Sequence, residues 1–115
     1  MDPKRLDKII KRFWANERRN DKYYLGVCSE VAVALKRFTG GGKISKAGLM
    51  HTFFTYNGYY CDIRGCFAPN KYRSIVPAPY YRPAEPKEIA HINNLLEHDT
   101  VAYILAGLRQ AQREI

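Results

Sequence analysis

The sequence predicts an α+β fold in which a small antiparallel sheet packs against helices. Three observations lead to this prediction: apolar residues recur at helical spacing early in the chain, an aromatic hairpin follows, and two helical patterns end it. A chain of 115 residues predicts one domain, spanning 1–115. The sheet is expected to contain a hairpin at 51–64, to pack against a central N-terminal helix that carries Cys28, and to be followed by two C-terminal helices.

The first predicted helix begins at Asp2-Pro3, where a capping side chain precedes a proline suited to the first helical position. The side chains of its apolar face are spaced three and four residues apart and are Leu6, Ile9, Ile10, Phe13 and Trp14. This spacing predicts an amphipathic helix that runs to about residue 18. Basic side chains lie off this face and form either a solvated surface or a binding patch.

The second predicted helix spans residues 27–38 and follows Gly26 directly. It is apolar on most sides, which is typical of a helix buried at the centre of a fold. Glycines at 40–42 end it, because glycine readily adopts the left-handed conformation that closes a helix.

The hairpin is the clearest local signal, because Asn57-Gly58 joins two aromatic and β-branched runs and favours a two-residue turn. Such a turn determines which residues lie opposite one another, and paired residues share a face. The predicted apolar face carries Thr52, Phe54, Tyr56, Tyr59, Cys61 and Ile63. The opposite face carries His51, Phe53, Thr55, Tyr60, Asp62 and Arg64.

The rest of the chain divides into a proline-rich segment and two helices. Prolines between 69 and 86 limit regular structure to a short predicted strand at 72–76. Pro86 begins a predicted helix of about 86–97, and Asp99 is the predicted cap of a last helix at about 100–113.

Charge and cysteine content narrow the classes of function. Lys and Arg number 19 against 11 Asp and Glu, for a net charge of +8, and residues 1–50 hold 12 of the basic but 5 of the acidic side chains. An acidic disordered tail is excluded, whereas an acidic partner or a nucleic acid is compatible. Three features predict a cytoplasmic protein without a membrane partner. They are the charged N-terminus, the lack of an apolar run long enough to span a bilayer, and the odd count of three cysteines.

Two residues on the face of the hairpin opposite its apolar face are suited to acid–base chemistry. His51 and Asp62 are diagonal neighbours, and such positions lie within side-chain reach of each other. Cys28 lies at the start of the buried helix, where the helix dipole favours a thiolate. A cysteine nucleophile, a histidine base and an orienting carboxylate repeat the logic of the serine triad.

The segments that carry these residues resemble the papain-like thiol enzymes, in their compact NlpC/P60-like and transglutaminase-like variants. The resemblance covers about residues 22–66 and depends on Gly26-Val-Cys28-Ser-Glu-Val-Ala and on the run from His51 through Asp62 to Gly65. It implies a papain-like domain in which Cys28 is the nucleophile, His51 the base and Asp62 the orienting acid. The backbone N–H of Cys28 would then contribute to the oxyanion hole.

The function predicted from these residues is thiol-dependent acyl chemistry by a peptidase, amidase, deamidase or acyl transferase. The substrate would be a peptide or amide, with an acidic substrate favoured by the basic N-terminal half, and no cofactor or metal is expected. The residues expected to line the substrate cleft are Tyr23, Tyr24, Phe53 and Tyr60.

Two non-catalytic functions also fit the sequence. Tyrosines interleaved with basic residues, in Lys71-Tyr72-Arg73 and Tyr80-Tyr81-Arg82, suit single-stranded nucleic acid. The small basic chain also suits an inhibitor or adaptor that binds a host protein, of the kind that phages and mobile elements encode.

Overall fold

The computed structural model describes residues 1–17, 24 and 26–115, and this part of the chain contains five helices and one five-stranded sheet. The helices are α1 (Pro3–Asn16), α2 (Cys28–Thr39), α3 (Pro69–Ile75), α4 (Pro86–Leu95) and α5 (His98–Glu114). The strands are β1 (Lys43–Ala47), β2 (His51–Tyr56), β3 (Tyr59–Asp62), β4 (Gly65–Phe67) and β5 (Tyr81–Pro83). The predicted α+β class is confirmed. Two of the described helices precede the first strand in the sequence, and two follow the last strand.

The sheet has the strand order β4-β3-β2-β1-β5, and each neighbouring pair is antiparallel. Asn57 and Gly58 have φ values of 47° and 82°, the left-handed geometry that a two-residue turn between twisted strands requires. The predicted hairpin register is confirmed for Phe54↔Cys61, Thr55↔Tyr60 and Tyr56↔Tyr59. The ladder stops there, so the predicted pairs nearer to His51 are not part of it.

The two faces of the sheet pack against different elements. Helices α1, α2 and α5 contribute to the main core, which includes Phe54 and Cys61 from the sheet and Ile63 from the turn between β3 and β4. On the opposite face, Phe53 packs with Tyr72 from α3 in a second, smaller cluster. The division of the hairpin residues between an apolar face and a second face therefore follows the register predicted from the turn.

Three local predictions were wrong. Residues 72–76 do not form a strand, because Pro69 begins the short helix α3 and Tyr72 is fully buried beneath the sheet. Trp14 is 40% exposed, since the core takes up only the other four apolar residues of the α1 face. The last helix is capped at Glu97, whose carbonyl accepts the N–H of Val101, and Asp99 lies inside its first turn.

The strands β1, β4 and β5 were not predicted from the sequence. Strand β1 lies between Cys28 and His51, which are 23 positions apart, and it pairs with β2 on one side and β5 on the other. Strands β4 and β5 have three residues each, too few to show a period of alternation. Among the helices of the described residues, none has the length and apolarity needed to cross a membrane.

Candidate active site

Cys28 is the first residue of α2, as predicted, and it contacts the beginning of β2. The N–H of Thr52 donates to Cys28 Sγ across 3.4 Å, and the hydroxyls of Ser29 and Thr52 lie 3.4 Å apart. No side chain caps this helix, since the N-cap residue is Val27. The first N–H groups of a helix lack intrahelical partners, so the backbone at this end of α2 offers hydrogen-bond donors.

His51 begins β2, and its imidazole contacts the rings of Phe53 and Tyr72, which also contact each other on the second face. Its ring is stacked at 6.2 Å from that of Phe53 and at 6.1 Å from that of Tyr72. His51 Nε2 lies 2.6 Å from Tyr72 Oη, a hydrogen bond that sets the orientation of the imidazole.

Burial lowers the pKa of His51 from its ordinary value of 6.5, and the charges of Arg64 and Lys46 lower it further against the opposing effect of Asp62. Between the two pKa values the unfolded chain binds more protons at this residue than the folded protein does. The stability that neutral His51 contributes is therefore complete above about pH 6.5. It is lost as the pH falls toward the lower pKa of the folded state. The histidine is therefore held in its neutral, basic form.

A His51→Gln variant is expected to lose part of the acid sensitivity of the fold. Its free energy of unfolding, measured by urea titration at a series of pH values below 6.5, should fall less steeply with decreasing pH than that of the unchanged protein. The control is His91→Gln, because His91 is exposed. Equal pH dependence in the two variants would contradict the burial of a neutral His51.

Asp62 ends β3 and is 4% exposed, so its carboxylate needs several partners. Arg64 donates to it from Nη2 at 2.5 Å, from Nε at 3.2 Å and from its backbone N–H at 2.8 Å. The hydroxyl of Tyr72 donates to Asp62 Oδ2 across 2.7 Å. Asp62 is thus a buried acceptor with four donors.

The structure corrects the direct contact expected between His51 and Asp62, because Tyr72 lies between them. Its Oη is bonded to both side chains, so the order of groups is His51, Tyr72, Asp62 and Arg64. Sequence reasoning missed Tyr72 because it placed residues 72–76 in a strand. No local pattern indicates this role, since it depends on how α3 packs under the sheet.

The order of donors identifies which nitrogen of His51 can accept a proton. Burial, followed by the charge of Asp62, raises the pKa of Tyr72, so its hydroxyl stays neutral and carries one proton. That proton is donated to Asp62, so His51 Nε2 must donate its own N–H to Tyr72 Oη. In the neutral imidazole the other nitrogen, Nδ1, then has a free lone pair and is the basic atom.

One small cleft, too narrow in this structure to hold a water molecule, is lined by all three predicted catalytic residues. The residues that line it are Tyr24, Cys28, Val31, Ala32, His51, Thr52, Phe53, Cys61, Asp62 and Ile63. Within the described ranges, no cluster of three or more His, Cys, Asp or Glu side chains is arranged to hold a metal ion.

The residues predicted to line the substrate cleft do not all lie at the cleft. Tyr24 and Phe53 line the cleft but are each 1% exposed, so they form its inner wall and offer little surface to a ligand. Tyr60 is not among the cleft residues and packs in the second cluster, 4.9 Å from Phe53 between ring centroids. Tyr23 lies outside the described residues.

The two tyrosine- and arginine-rich segments largely contact the protein itself. Tyr72 is fully buried, and the Arg73 guanidinium lies over the ring of Tyr81 at 5.3 Å. Arg82 forms two hydrogen bonds with the carboxylate of Glu88, at 2.5 and 2.9 Å. These contacts leave fewer rings and cations for stacking on nucleic-acid bases than the sequence suggested.

Comparison with family models, curated proteins and solved structures found no match to this chain. The functional argument therefore depends on the geometry of the cleft and on the chemistry of the side chains that line it.

Proposed function

We propose that this protein is a thiol-dependent acyl enzyme, a peptidase, amidase, deamidase or acyl transferase, with Cys28 as nucleophile and His51 as base. The observation that carries the proposal is the donor order from His51 through Tyr72 to Asp62, which leaves Nδ1 of His51 basic in the cleft that Cys28 also lines. A neutral base that lines the same cleft as a helix-terminal thiol is consistent with nucleophilic catalysis by cysteine.

The reaction follows from these assignments. His51 Nδ1 takes the thiol proton as Cys28 Sγ attacks the acyl carbonyl, and the imidazolium then returns that proton to the departing amine. Positive charge on the imidazolium is stabilised by Asp62 through the hydroxyl of Tyr72. Attack on the resulting thioester by water gives hydrolysis, and attack by another amine gives acyl transfer.

Tyr72 and Asp62 are positioning residues in this mechanism, because neither needs to touch the substrate. Tyr72 holds the imidazole in one tautomer, and Arg64 keeps the Asp62 carboxylate in place through its paired hydrogen bonds. A histidine fixed in one tautomer presents the same nitrogen to the thiol in each catalytic cycle.

An acidic peptide or amide is the substrate class that we favour. Residues 1–50 carry most of the positive charge of the chain, and they include both α1 and the Cys28 helix. A surface pocket lined by Lys11, Trp14 and Arg64 adjoins the cleft at Ile63, which lines both. Its indole ring suits an apolar part of the substrate, whereas its two cations are each paired with a carboxylate of the protein, Lys11 with Asp7 and Arg64 with Asp62.

Alkylation by iodoacetamide tests the proposal without knowledge of the substrate. In the unchanged protein at slightly acidic pH, Cys28 should be labelled faster than Cys66, as measured by peptide mass spectrometry at successive times. A His51→Gln variant should slow the labelling of Cys28 by roughly a hundredfold, the lower end of the effect of a general base.

The matched control is His91→Gln, an exposed histidine whose replacement should leave labelling of Cys28 unchanged. Labelling of Cys28 that is no faster than that of Cys66, or that is indifferent to His51→Gln, overturns the assignment. Such a result would favour a non-catalytic role in binding a host protein or a single-stranded nucleic acid.

A further inference from the structure

Two cysteines that the proposed acyl chemistry does not use lie directly opposite each other in the sheet. Cys61 of β3 is paired with Cys66 of β4, and their Sγ atoms are 2.6 Å apart. Both thiols are free. The turn between the two strands therefore brings a buried thiol into contact with a second thiol nearer the surface.

The backbone already meets the requirements of a disulfide. Directly opposed residues of an antiparallel ladder have Cα atoms about 4.5 to 5.5 Å apart, inside the range that disulfides span. Cys66 is held there from the helix side, because its N–H donates to Asp7 Oδ1 at 2.8 Å. Joining the two sulfurs therefore requires little movement of β3 or β4.

The two thiols differ in access. Cys61 is fully buried, and its contact with Cys66, together with burial, raises its pKa. Cys66 is partly exposed and lines a surface pocket together with Lys4 and Lys8 from the first turns of α1. A reagent from solvent thus meets Cys66 first, in a pocket where the exposed ammonium groups of Lys4 and Lys8 outnumber the one carboxylate, that of Asp7.

We propose that Cys66 and Cys61 form a redox-active dithiol that reduces an anionic low-molecular-weight disulfide, of which oxidised glutathione is the representative. The Cys66 thiolate attacks one sulfur of the reagent, giving a mixed disulfide and releasing one thiol, with the Cys66 proton passing to solvent or to that product. The Cys61 sulfur then attacks Cys66 Sγ to form the Cys61–Cys66 disulfide, and the Cys61 proton passes to the departing thiolate, which leaves as the second thiol. The reagent gains two electrons and two protons, and the protein loses them.

The test incubates the reduced full-length protein with oxidised glutathione and follows it by mass spectrometry. Trypsin cleaves after Arg64, between the two cysteines, so the expected product is a pair of tryptic peptides joined by the Cys61–Cys66 bond. An absence of any reaction at Cys66, or a stable glutathione adduct on Cys66 of the unchanged protein, overturns the proposal.

Variants separate the roles of the two thiols. Cys61→Ala should retain glutathione on Cys66, because no thiol remains to displace it, whereas Cys66→Ser should leave Cys61 unmodified. Circular dichroism checks that each variant is folded, and the peptide map of the unchanged protein decides the outcome if Cys61→Ala is not. Repeating the map in Cys28→Ala keeps the result independent of the proposed acyl chemistry.

The charge of the reagent provides a second readout. Oxidised glutathione should react faster than cystamine, a cationic disulfide, and Lys8→Glu should slow glutathione while accelerating cystamine. Faster reaction with cystamine in the unchanged protein contradicts selection of an anionic reagent.

Discussion

A Cys28→Ala variant is expected to lose acylation by p-nitrophenyl acetate completely. In the unchanged protein the thiol of Cys28 should displace p-nitrophenolate and keep the acetyl group as a thioester, which hydrolysis then removes. Alanine offers no nucleophile at the start of α2, so both the early burst of p-nitrophenolate and the acetylated peptide should disappear. Absorbance measures the burst, and peptide mass spectrometry at low pH locates the acetyl group.

The matched control is Cys66→Ala, which removes a partly exposed thiol of β4 that does not line the cleft. This variant should retain the burst and the acetylated Cys28 peptide. An acetyl group found mainly on Cys66 or on a lysine of the unchanged protein would show that the cleft does not activate Cys28.

An Asp62→Ala variant is expected to lower the free energy of unfolding by about 3 kcal/mol, the scale for removing one partner of a buried ion pair. The replacement leaves the Tyr72 hydroxyl and the Arg64 guanidinium without their shared acceptor beneath the sheet. Urea titration followed by circular dichroism measures the change, and the control is Asp99→Ala at an exposed position. That control should change the free energy by no more than about 0.5 kcal/mol.

The same experiment tests the order of groups in the site. If Tyr72 contacts Asp62, the effects of Tyr72→Phe and Asp62→Ala should not add in the double variant. Additive free energies, or a loss for Asp62→Ala no greater than that for Asp99→Ala, would contradict the buried arrangement.

The hairpin shows what a local signal can establish. Asn57-Gly58 is sufficient to predict the turn, the pairing of Phe54 with Cys61 and the two faces of the strands, because each depends on neighbours within a few residues. The position of Cys28 at the start of a helix is predictable for the same reason. These two elements place Cys28 and His51 where the structure has them.

The remaining site residue depends on contacts between distant segments. Tyr72 reaches His51 only because α3 packs against the second face, and the sequence of α3 does not show which ring will enter that face. The same limit applies to β1 and β5, whose pairing is a property of the assembled sheet. Short segments carry too few residues to record their partners in a periodic pattern.

The amino-acid sequence by itself determined the α+β class, the hairpin register, the helical start at Cys28 and the uneven distribution of positive charge. Each follows from spacing, turn chemistry or composition within a short stretch of chain. Only the tertiary structure decided that Tyr72 separates His51 from Asp62, that Nδ1 is the basic nitrogen, and that Cys61 contacts Cys66 across β3 and β4. The physical reason is that hydrogen bonds between side chains depend on distances across the fold, which packing sets after the local elements have formed.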